Sequence, residues 1–408
     1  MDMKSSYWLT NARLESGYNI QDGVITGTRT ESCHLFIEDG KIAKVVSCDT
    51  NIPDQAVQQD VKGLLLLPSF VEKHCHLDKT LLGDRWRSVT PVSSIFERLD
   101  MEKKTLPSLD TRIQDRAEKL LNLYVDSGVT HVRTHVDIYP EAGLDHLEAV
   151  QQALHSFEGK LSHEIVAFPQ HGLLRSQAKE WVREALRRGA GLVGGVDPAT
   201  VDGDIEASLQ QMVELAVEGN AGIDLHLHDA DHQGIYTLKR LAQLTQEAGL
   251  QGKVAISHAF GLGDISPSEA EEMGDLLADA GIAIITSVPI GRTFPPVGLL
   301  HKRGVEVAVG CDNIFDVWSP FGNGDVLERA GRLAEISRWV DEHSLAHTLR
   351  YITGGITPLN DKGEQVWPRV GDEASIVFVE ASCSAEAIAR RSRRVVTMFK
   401  GDIVSGSF

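Results

Sequence analysis

The chain has too little positive charge and too few long apolar segments for several classes of protein. Its 40 lysines and arginines stand against 58 aspartates and glutamates, which gives a formal net charge of -18. Proteins that bind nucleic acids or anionic membranes need a basic face instead. No apolar run approaches the roughly 20 residues that a membrane-spanning helix requires. The sequence therefore predicts a protein with no nucleic-acid partner and no membrane partner.

Cysteine is also scarce, with five residues scattered along 408 positions. An odd number of separated thiols is typical of a reducing compartment and not of a disulfide framework. The first residues, Met-Asp-Met-Lys-Ser-Ser, lack the apolar core of a secretion signal. We therefore expect a cytoplasmic globular protein. Histidine, by contrast, occurs sixteen times.

The two ends of the chain carry similar β patterns. Residues 34–46 contain two apolar-rich runs joined by Asp-Gly, a dipeptide typical of tight hairpin turns. Residues 395–404 repeat that hairpin pattern near the other end. We predict that residues 1–67 and 366–408 pair across the sequence as a small, discontinuous β-sandwich domain.

The middle of the chain, residues 68–365, repeats a strand-then-helix rhythm. Several of its apolar runs are nearly continuous, as expected for parallel strands that are covered on both faces. The predicted strands are residues 70–77, 130–138, 164–170, 191–197, 223–229, 254–258, 282–288 and 305–311. Eight such units over about 250 residues predict a (β/α)8 TIM barrel, followed by extra helices at 325–353. A doubly wound open sheet is the alternative, but no Gly-x-Gly-x-x-Gly motif follows the first strand.

Histidines and carboxylates stand at the carboxyl ends of four predicted strands, where reactive residues lie in such barrels. They are His74 and His76 on the first strand, His226, His228 and Asp229 on the fifth, His258 on the sixth and Asp312 after the eighth. Because alternate strand residues point to one face, the His-x-His pair projects together and Cys75 points away into packing. Imidazole nitrogen and carboxylate oxygen suit Zn²⁺ or Fe²⁺. The combination predicts a site for a divalent metal.

The segments around these residues also match a known family, in order along the chain. They are residues 70–79, 131–137, 166–170, 192–200, 223–229, 257–259 and 312–324. The chain resembles the amidohydrolase superfamily, and within it the branch that holds bacterial cytosine deaminase and N-isopropylammelide isopropylaminohydrolase. The resemblance spans nearly the whole barrel. It implies a metal-dependent hydrolase that acts on carbon–nitrogen bonds other than peptide bonds.

The resemblance also implies a ligand set for one divalent metal, Zn²⁺ with Fe²⁺ as the alternative. The implied ligands are His74, His76, His226 and Asp312. The family's strand-six histidine, here His258, contacts the attacking water. Relatives with two metals carry a carboxylated lysine at the end of strand four, where this chain ends in Gly-Gly-Val-Asp197.

One position departs from cytosine deaminase. That enzyme has a proton-shuttling glutamate three residues after its strand-five histidine, whereas this chain has Asp229 there with His228 beside it. The His-x-His-Asp form resembles the triazine alkylaminohydrolase instead. We therefore expect His228, aided by Asp229, to deliver protons to the ring nitrogen or the leaving amine. Asp312 is expected to accept the proton of the attacking water.

Four further residues are candidates for substrate binding, each with a structural alternative. Gln170, retained from the cytosine deaminase pattern, offers a donor and an acceptor to a lactam edge, or caps a loop. Lys79 holds a ring carbonyl or a developing oxyanion, or forms a surface salt bridge. Trp318 forms a wall of the ring pocket or packs in the core. Asp197 binds polar groups of the substrate or fixes a loop at the barrel rim.

Together these observations predict an aminohydrolase or deaminase that removes ammonia or an alkylamine from a ring carbon of a nitrogen heterocycle, such as a pyrimidine or a hydroxy-s-triazine. The reaction would use metal-activated water. One alternative is a cyclic amidohydrolase that opens a lactam ring, and another is a metal-binding barrel without turnover. The expected partners are a small heterocyclic substrate and further copies of the chain in a homo-oligomer.

Overall fold

The computed structural model describes residues 6–408. The first five residues of the predicted small domain therefore lie outside the described part of the chain. The described strands form two eight-stranded sheets. One sheet comes from both ends of the chain, and the other comes from the middle.

The first sheet confirms that the two chain ends build one β structure. Its strands are β1 (Tyr7–Gln21), β2 (Val24–Glu38), β3 (Lys41–Ser47), β4 (Gln58–Asp60) and β5 (Leu65–Pro68), with the later strands given below. β2 and β3 form an antiparallel hairpin around Asp39 and Gly40. Both turn residues have positive φ angles, 50° and 77°, which Asp-Gly tolerates. The predicted hairpin is therefore present.

The second sheet is a parallel barrel. Its strands follow one another in sequence order. They are β6 (Phe70–Cys75), β7 (Val129–Asp137), β8 (Ser162–Phe168), β9 (Leu192–Val196), β10 (Gly222–His226), β11 (Val254–Ser257), β12 (Ile282–Thr286) and β13 (Val307–Val309). A parallel bridge between Cys75 and Asp312 joins the first strand to the segment after the last. This confirms the (β/α)8 barrel against the open-sheet alternative.

The strands of the C-terminal segment complete the first sheet. They are β14 (Ile376–Val379), β15 (Arg394–Phe399) and β16 (Asp402–Gly406). The strand order is β16-β15-β14-β5-β1-β2-β3, with β4 paired to β1. The two chain ends meet where β14 pairs antiparallel with β5, for example Val377 opposite Leu67. The structure thus has this β unit as one hydrogen-bonded sheet, and the exact domain limits at residues 67 and 366 stay a prediction.

The described part of the chain has eleven α-helices. They are α1 (Ile95–Thr105), α2 (Ile113–Asp126), α3 (Asp145–His155), α4 (Lys179–Arg187), α5 (Ile205–Glu218), α6 (Asp231–Glu247), α7 (Pro267–Asp279), α8 (Val297–Lys302), α9 (Val326–Ile336), α10 (Glu342–Thr348) and α11 (Ser384–Arg390). α9 and α10 occupy the segment predicted to hold extra helices. α1 lies in the long connection between β6 and β7. Among residues 6–408, no helix combines the length and the apolar character that a membrane crossing requires.

Local sequence explains where several helices begin. α7 starts with a capping box, in which the Ser266 side chain accepts from the Glu269 amide and the Glu269 side chain accepts from the Ser266 amide. α5 and α10 have simpler caps. The side chain of Asp204 accepts from the Ala207 amide at the start of α5, and that of Asp341 accepts from the Ser344 amide at the start of α10. The helices pack their apolar faces on the barrel strands and form the main core. A separate core lies within the sheet of the chain ends.

Candidate active site

The four predicted metal ligands come together at the carboxyl ends of the barrel strands. Nε2 of His74 lies 3.5 Å from Oδ1 of Asp312, and Nε2 of His76 lies 3.4 Å from the same oxygen. The ring centre of His226 lies 4.5 Å from that of His74. Nitrogen and oxygen ligands held 2.0–2.2 Å from a tetrahedral zinc are separated by about 3.3–3.5 Å. The spacing of these side chains therefore fits a single metal ion.

A hydrogen-bond chain fixes the tautomer of His74. Oγ of Ser257 donates to Oδ1 of Asp224 at 2.7 Å, so its hydrogen is already used. Nδ1 of His74, 2.7 Å from the same Oγ, must therefore donate to it. Nε2 of His74 is left with a lone pair that faces the carboxylate of Asp312. A metal ion between the two groups would satisfy both acceptors, and the hydrogen bonds from His74 through Ser257 to Asp224 orient the imidazole toward it.

Two further imidazoles of the cluster favour the neutral form. Burial and the neighbouring histidines lower the pKa of His226 well below its usual range. Burial and the nearby His228 do the same for the pKa of His258. Both ring nitrogens of His226 and Nδ1 of His258 are buried without a hydrogen-bond partner among the described residues. Neutral imidazole is the form that binds metals, and a ligand role would account for such unpaired nitrogens.

His135, to which the sequence pattern assigned no role, joins the same cluster. Its ring is fully buried and its centre lies 4.2 Å from that of His74 and 4.5 Å from that of His226. Neither ring nitrogen has a hydrogen-bond partner within residues 6–408. The available signal was alternation along β7, where Arg133, His135 and Asp137 occupy every second position. The described cluster thus contains one more candidate nitrogen ligand than the sequence predicted.

Three site residues leave their strands with left-handed backbone conformations. The φ angles are 36° at Asp197, 72° at His258 and 61° at Asp312. Such conformations are uncommon for residues other than glycine and cost about 1–3 kcal/mol each. Strain of this kind is concentrated at functional sites. Here it occurs at three strand ends that carry candidate residues, among sixteen non-glycine residues with positive φ angles in the described part of the chain.

The side chain of His228 is paired with Asp197 and not with Asp229, the residue that was predicted to aid it. Nδ1 of His228 lies 2.9 Å from Oδ2 of Asp197. Burial opposes protonation of His228, but the Asp197 carboxylate outweighs it and raises the pKa of the imidazole. The carboxylate of Asp229 instead accepts from the amide of Ala199 at 3.1 Å and from the hydroxyl of Thr200. Asp229 therefore braces the loop after β9.

Lys79 is fully buried and does not form a surface salt bridge. Its Nζ lies 2.9 Å from Oδ1 of Asp137 and donates to Oε1 of Gln170. Burial alone would lower the pKa of Lys79, but the carboxylates of Asp137, Glu102 and Asp78 raise it above its usual value. The ammonium group is therefore charged at neutral pH. The structure places Gln170 between this cation and the pocket.

Glu102 is a site residue that the sequence did not reveal. It lies on α1, is 2% exposed, and accepts from Nε2 of Gln170 and from Nε1 of Trp318, both at 2.5 Å. Trp318 is half-buried and lines the pocket, as the sequence suggested it could. A weak signal was present, because Glu102 follows Ile95 and Leu99 at helical spacing on the face that the helix buries.

The pocket beside the metal ligands has apolar walls and a polar end. Ile95, Leu99, Phe168 and Val196 line it on one side. The polar lining residues are His76, Gln170, His226, His228, His258, Asp312, Asn313 and Trp318. Its volume is about 50 Å³. Sites for small ligands are commonly several times larger.

Comparison with known proteins assigns the chain to a family. The model of the amidohydrolase family matches residues 114–405, more than half of the chain. The chain belongs to the amidohydrolase family. It is thus an enzyme of the amidohydrolase superfamily that acts on carbon–nitrogen bonds.

Individual relatives cover almost the whole of this amidohydrolase. It is 40% identical to the uncharacterised protein YahJ of Escherichia coli K12, over 98% of this chain and 88% of the relative. It is 32% identical to N-isopropylammelide isopropyl amidohydrolase of Pseudomonas sp. strain ADP, over 85% of this chain and 87% of the relative. The solved structure of N-isopropylammelide isopropylaminohydrolase from Burkholderia multivorans ATCC 17616 matches with a TM-score of 0.86 and 30% identity, over 99% of both chains.

Proposed function

We propose that the protein hydrolyses the bond between a ring carbon of a nitrogen heterocycle and an exocyclic amine, with pyrimidines and hydroxy-s-triazines as the substrate class. The water oxygen bonds to the ring carbon, the carbon–nitrogen bond breaks, and ammonia or an alkylamine leaves with one proton of the water. The other proton stays on the new hydroxyl group or moves to the adjacent ring nitrogen. The ring is not opened.

The observation that carries this proposal is that Nε2 of His74 and Nε2 of His76 both lie against Oδ1 of Asp312, at 3.5 and 3.4 Å. We propose His74, His76, His226 and Asp312 as the ligands of one Zn²⁺ or Fe²⁺ ion. His135 is a further nitrogen at the same point. Such an ion, when bound, lowers the pKa of water from ~15.7 toward ~7.

Three side chains are proposed to move or hold protons. Asp312, which lies against both histidines of the His-x-His pair, accepts a proton from the attacking water. His258 orients that water, since its ring packs 4.8 Å from His74 and 4.4 Å from His228, centre to centre. His228, held by Asp197, delivers a proton to the ring nitrogen or to the leaving amine. This assignment replaces Asp229 with Asp197 as the partner of His228.

The ring itself is proposed to bind between the apolar wall and the polar end of the pocket. Phe168 lines that wall and stacks on His226 with ring centres 4.1 Å apart, which leaves little freedom for either group. Gln170 retains one N–H and one lone pair that the protein does not use, and these match a lactam edge. The relatives named as acting on N-isopropylammelide support this class of ring.

The experiment is a substrate screen with enzyme loaded with Zn²⁺ or Fe²⁺. Cytosine, N-isopropylammelide, other aminotriazines and pterin are offered, and released ammonia or alkylamine is measured together with the mass of the ring product. The proposal expects amine release with an intact ring. A ring-opened acid with its nitrogen count unchanged would establish the lactam-hydrolase alternative. Failure of the fully loaded protein to hydrolyse any member of a broad panel would favour a binding protein.

A further inference from the structure

α1 presents three side chains toward the pocket from one face. Ile95, Leu99 and Glu102 are spaced by four and three residues, which places them on one side of the helix. Ile95 and Leu99 line the apolar part of the pocket. Glu102 is almost completely buried, and its carboxylate contacts Gln170 and Trp318, which also line the pocket. The helix therefore contributes both an apolar wall and a charged group at the polar end.

The carboxylate of Glu102 is shared between two pocket residues. Oε1 accepts from the side-chain amide of Gln170 and Oε2 accepts from the indole of Trp318. On its other side, Gln170 accepts from the ammonium group of Lys79, which is itself held by Asp137. The amide of Gln170 thus has a donor on one flank and an acceptor on the other. Only one of its two orientations satisfies both neighbours.

We propose that Glu102 is a specificity-determining residue, because it fixes the orientation of the Gln170 amide and the position of the Trp318 indole. Gln170 has two N–H groups and two carbonyl lone pairs, and the protein uses one of each. The remaining N–H and lone pair are offered to the ring with the carbonyl oxygen on the Lys79 flank. The inference rests on the proposed function in that the ligand is a ring with a lactam edge.

A role confined to charge balance does not explain the arrangement. Asp137 already pairs with Lys79 at 2.9 Å, whereas the shortest distance from Glu102 to that ammonium nitrogen is 3.7 Å. The close contacts of Glu102 are the two pocket side chains at 2.5 Å. Its carboxylate is thus aimed at the groups that meet the ring. Removing its charge alone is therefore expected to change ring binding before it changes stability.

The first test is E102Q, with D100N as the matched control. Asp100 lies on the exposed face of the same helix, so D100N removes one negative charge without touching the pocket. Gln170 and Trp318 donate to different oxygens of Glu102, and in E102Q one of those two positions becomes an amide NH₂, so either Gln170 or Trp318 meets a donor and turns away. KM for a ring that is turned over should rise about tenfold or more, with kcat changed less than about threefold. The control should match wild type.

A non-reacting probe separates this inference from the proposed function. Cyanuric acid carries three identical lactam edges and no exocyclic amine, so its affinity reports the edge contact alone. Its Kd, measured by calorimetry on metal-loaded protein, should rise about tenfold or more in E102Q and stay unchanged in D100N. The exchange variant E102Q/Q170E keeps the charge and the contact between the two positions but removes the amide donor from position 170. It should stay folded and shift the preference from cyanuric acid to isocytosine, whose edge carries two donors.

The outcomes distinguish the two ideas. If a ring is hydrolysed and E102Q leaves both KM and Kd within about twofold of wild type, the inference is wrong and the proposed function stands. If no ring is hydrolysed but cyanuric acid binds in a Glu102-dependent manner, the inference stands and the proposed function fails. If wild type binds neither cyanuric acid nor any ring in the panel, both are wrong. An exchange variant that binds like wild type also overturns the inference.

Discussion

Replacing Asp197 by Asn tests the proton relay with a change of one atom. The carboxylate is 2% exposed, and its Oδ1 accepts from the amides of His228 and Asp229 while Oδ2 lies 2.9 Å from Nδ1 of His228. In D197N an amide oxygen can still accept from the backbone. The amide nitrogen then faces Nδ1 and donates to it, so the neutral imidazole carries its proton on Nε2. The positive form of His228 also loses its counter-charge.

The size of the effect follows from the lost ion pair. Two unit charges about 4 Å apart interact by ~4 kcal/mol at an effective dielectric constant of about 20. Since ~1.36 kcal/mol corresponds to tenfold in rate, kcat should fall by about three orders of magnitude in D197N. That value lies inside the range of about 10²–10⁴ for general acid–base catalysis. The metal should be retained, because the Asp197 side chain contacts His228 and Asp229 and none of the proposed ligand side chains.

The assay compares D197N with D229N, the same substitution at the neighbouring carboxylate. Saturating initial rates, metal per chain and thermal unfolding are measured for both variants. Because Asp229 contacts Ala199 and Thr200, kcat of D229N should fall less than about tenfold. Two results would refute the reasoning. One is D197N with about one metal ion and kcat within tenfold of wild type, and the other is an equal loss of kcat in the two variants.

Three further predictions concern the metal and the barrel. His226→Ala should lose metal and turnover together, whereas His228→Ala should keep about one metal ion per chain and lose rate. Metal analysis beside initial rates checks both, and metal loss in the second variant would contradict the assignment. Chelation should abolish turnover reversibly and lower Tm, since an ion at 1,000 times its Kd stabilises the folded state by about 4 kcal/mol. An unchanged Tm would contradict tight binding. Gly194→Ala should destabilise by about 1–3 kcal/mol, because its Cβ would lie 2.8 Å from the carbonyl oxygen of Ala167 and 2.9 Å from Cα of Phe168. Urea unfolding with an unchanged midpoint would refute this.

The barrel was predictable because its pattern is repeated and local. Each strand is a short apolar run followed by a helix with an apolar face, and eight repeats leave few alternative topologies. The pairing of the chain ends was harder to predict, since β5 and β14 are separated by more than 300 residues in the sequence. Both are apolar throughout, which is typical of strands buried on both faces. Their apolar composition is the one feature of the sequence that indicates that these two strands are buried together.

The convergence of the proposed metal ligands was predictable for the same reason, whereas the carboxylate that pairs with His228 was not. Spacing places His74, His76 and His226 at strand ends, and the barrel brings strand ends together. Which carboxylate reaches His228 depends instead on the backbone turn at Asp197, whose φ of 36° no local pattern indicates. The contacts of Glu102 depend on how α1 packs against the barrel. Such features follow from tertiary packing and not from sequence spacing.

The site residues that the sequence predicted and those that it did not predict also lie on different kinds of structural element. The metal cluster lies on strand ends whose backbone is fixed by neighbouring strands on both sides, as where the amide of Asp312 donates to the carbonyl of His74 at 2.7 Å. The ring-binding end depends on α1 and on the loop that carries Trp318, and these are connections between strands. Connections tolerate substitution better than barrel strands do. Specificity can therefore change through α1, with Glu102 as its buried contact, while the metal centre stays intact, which is how one barrel supports many substrates.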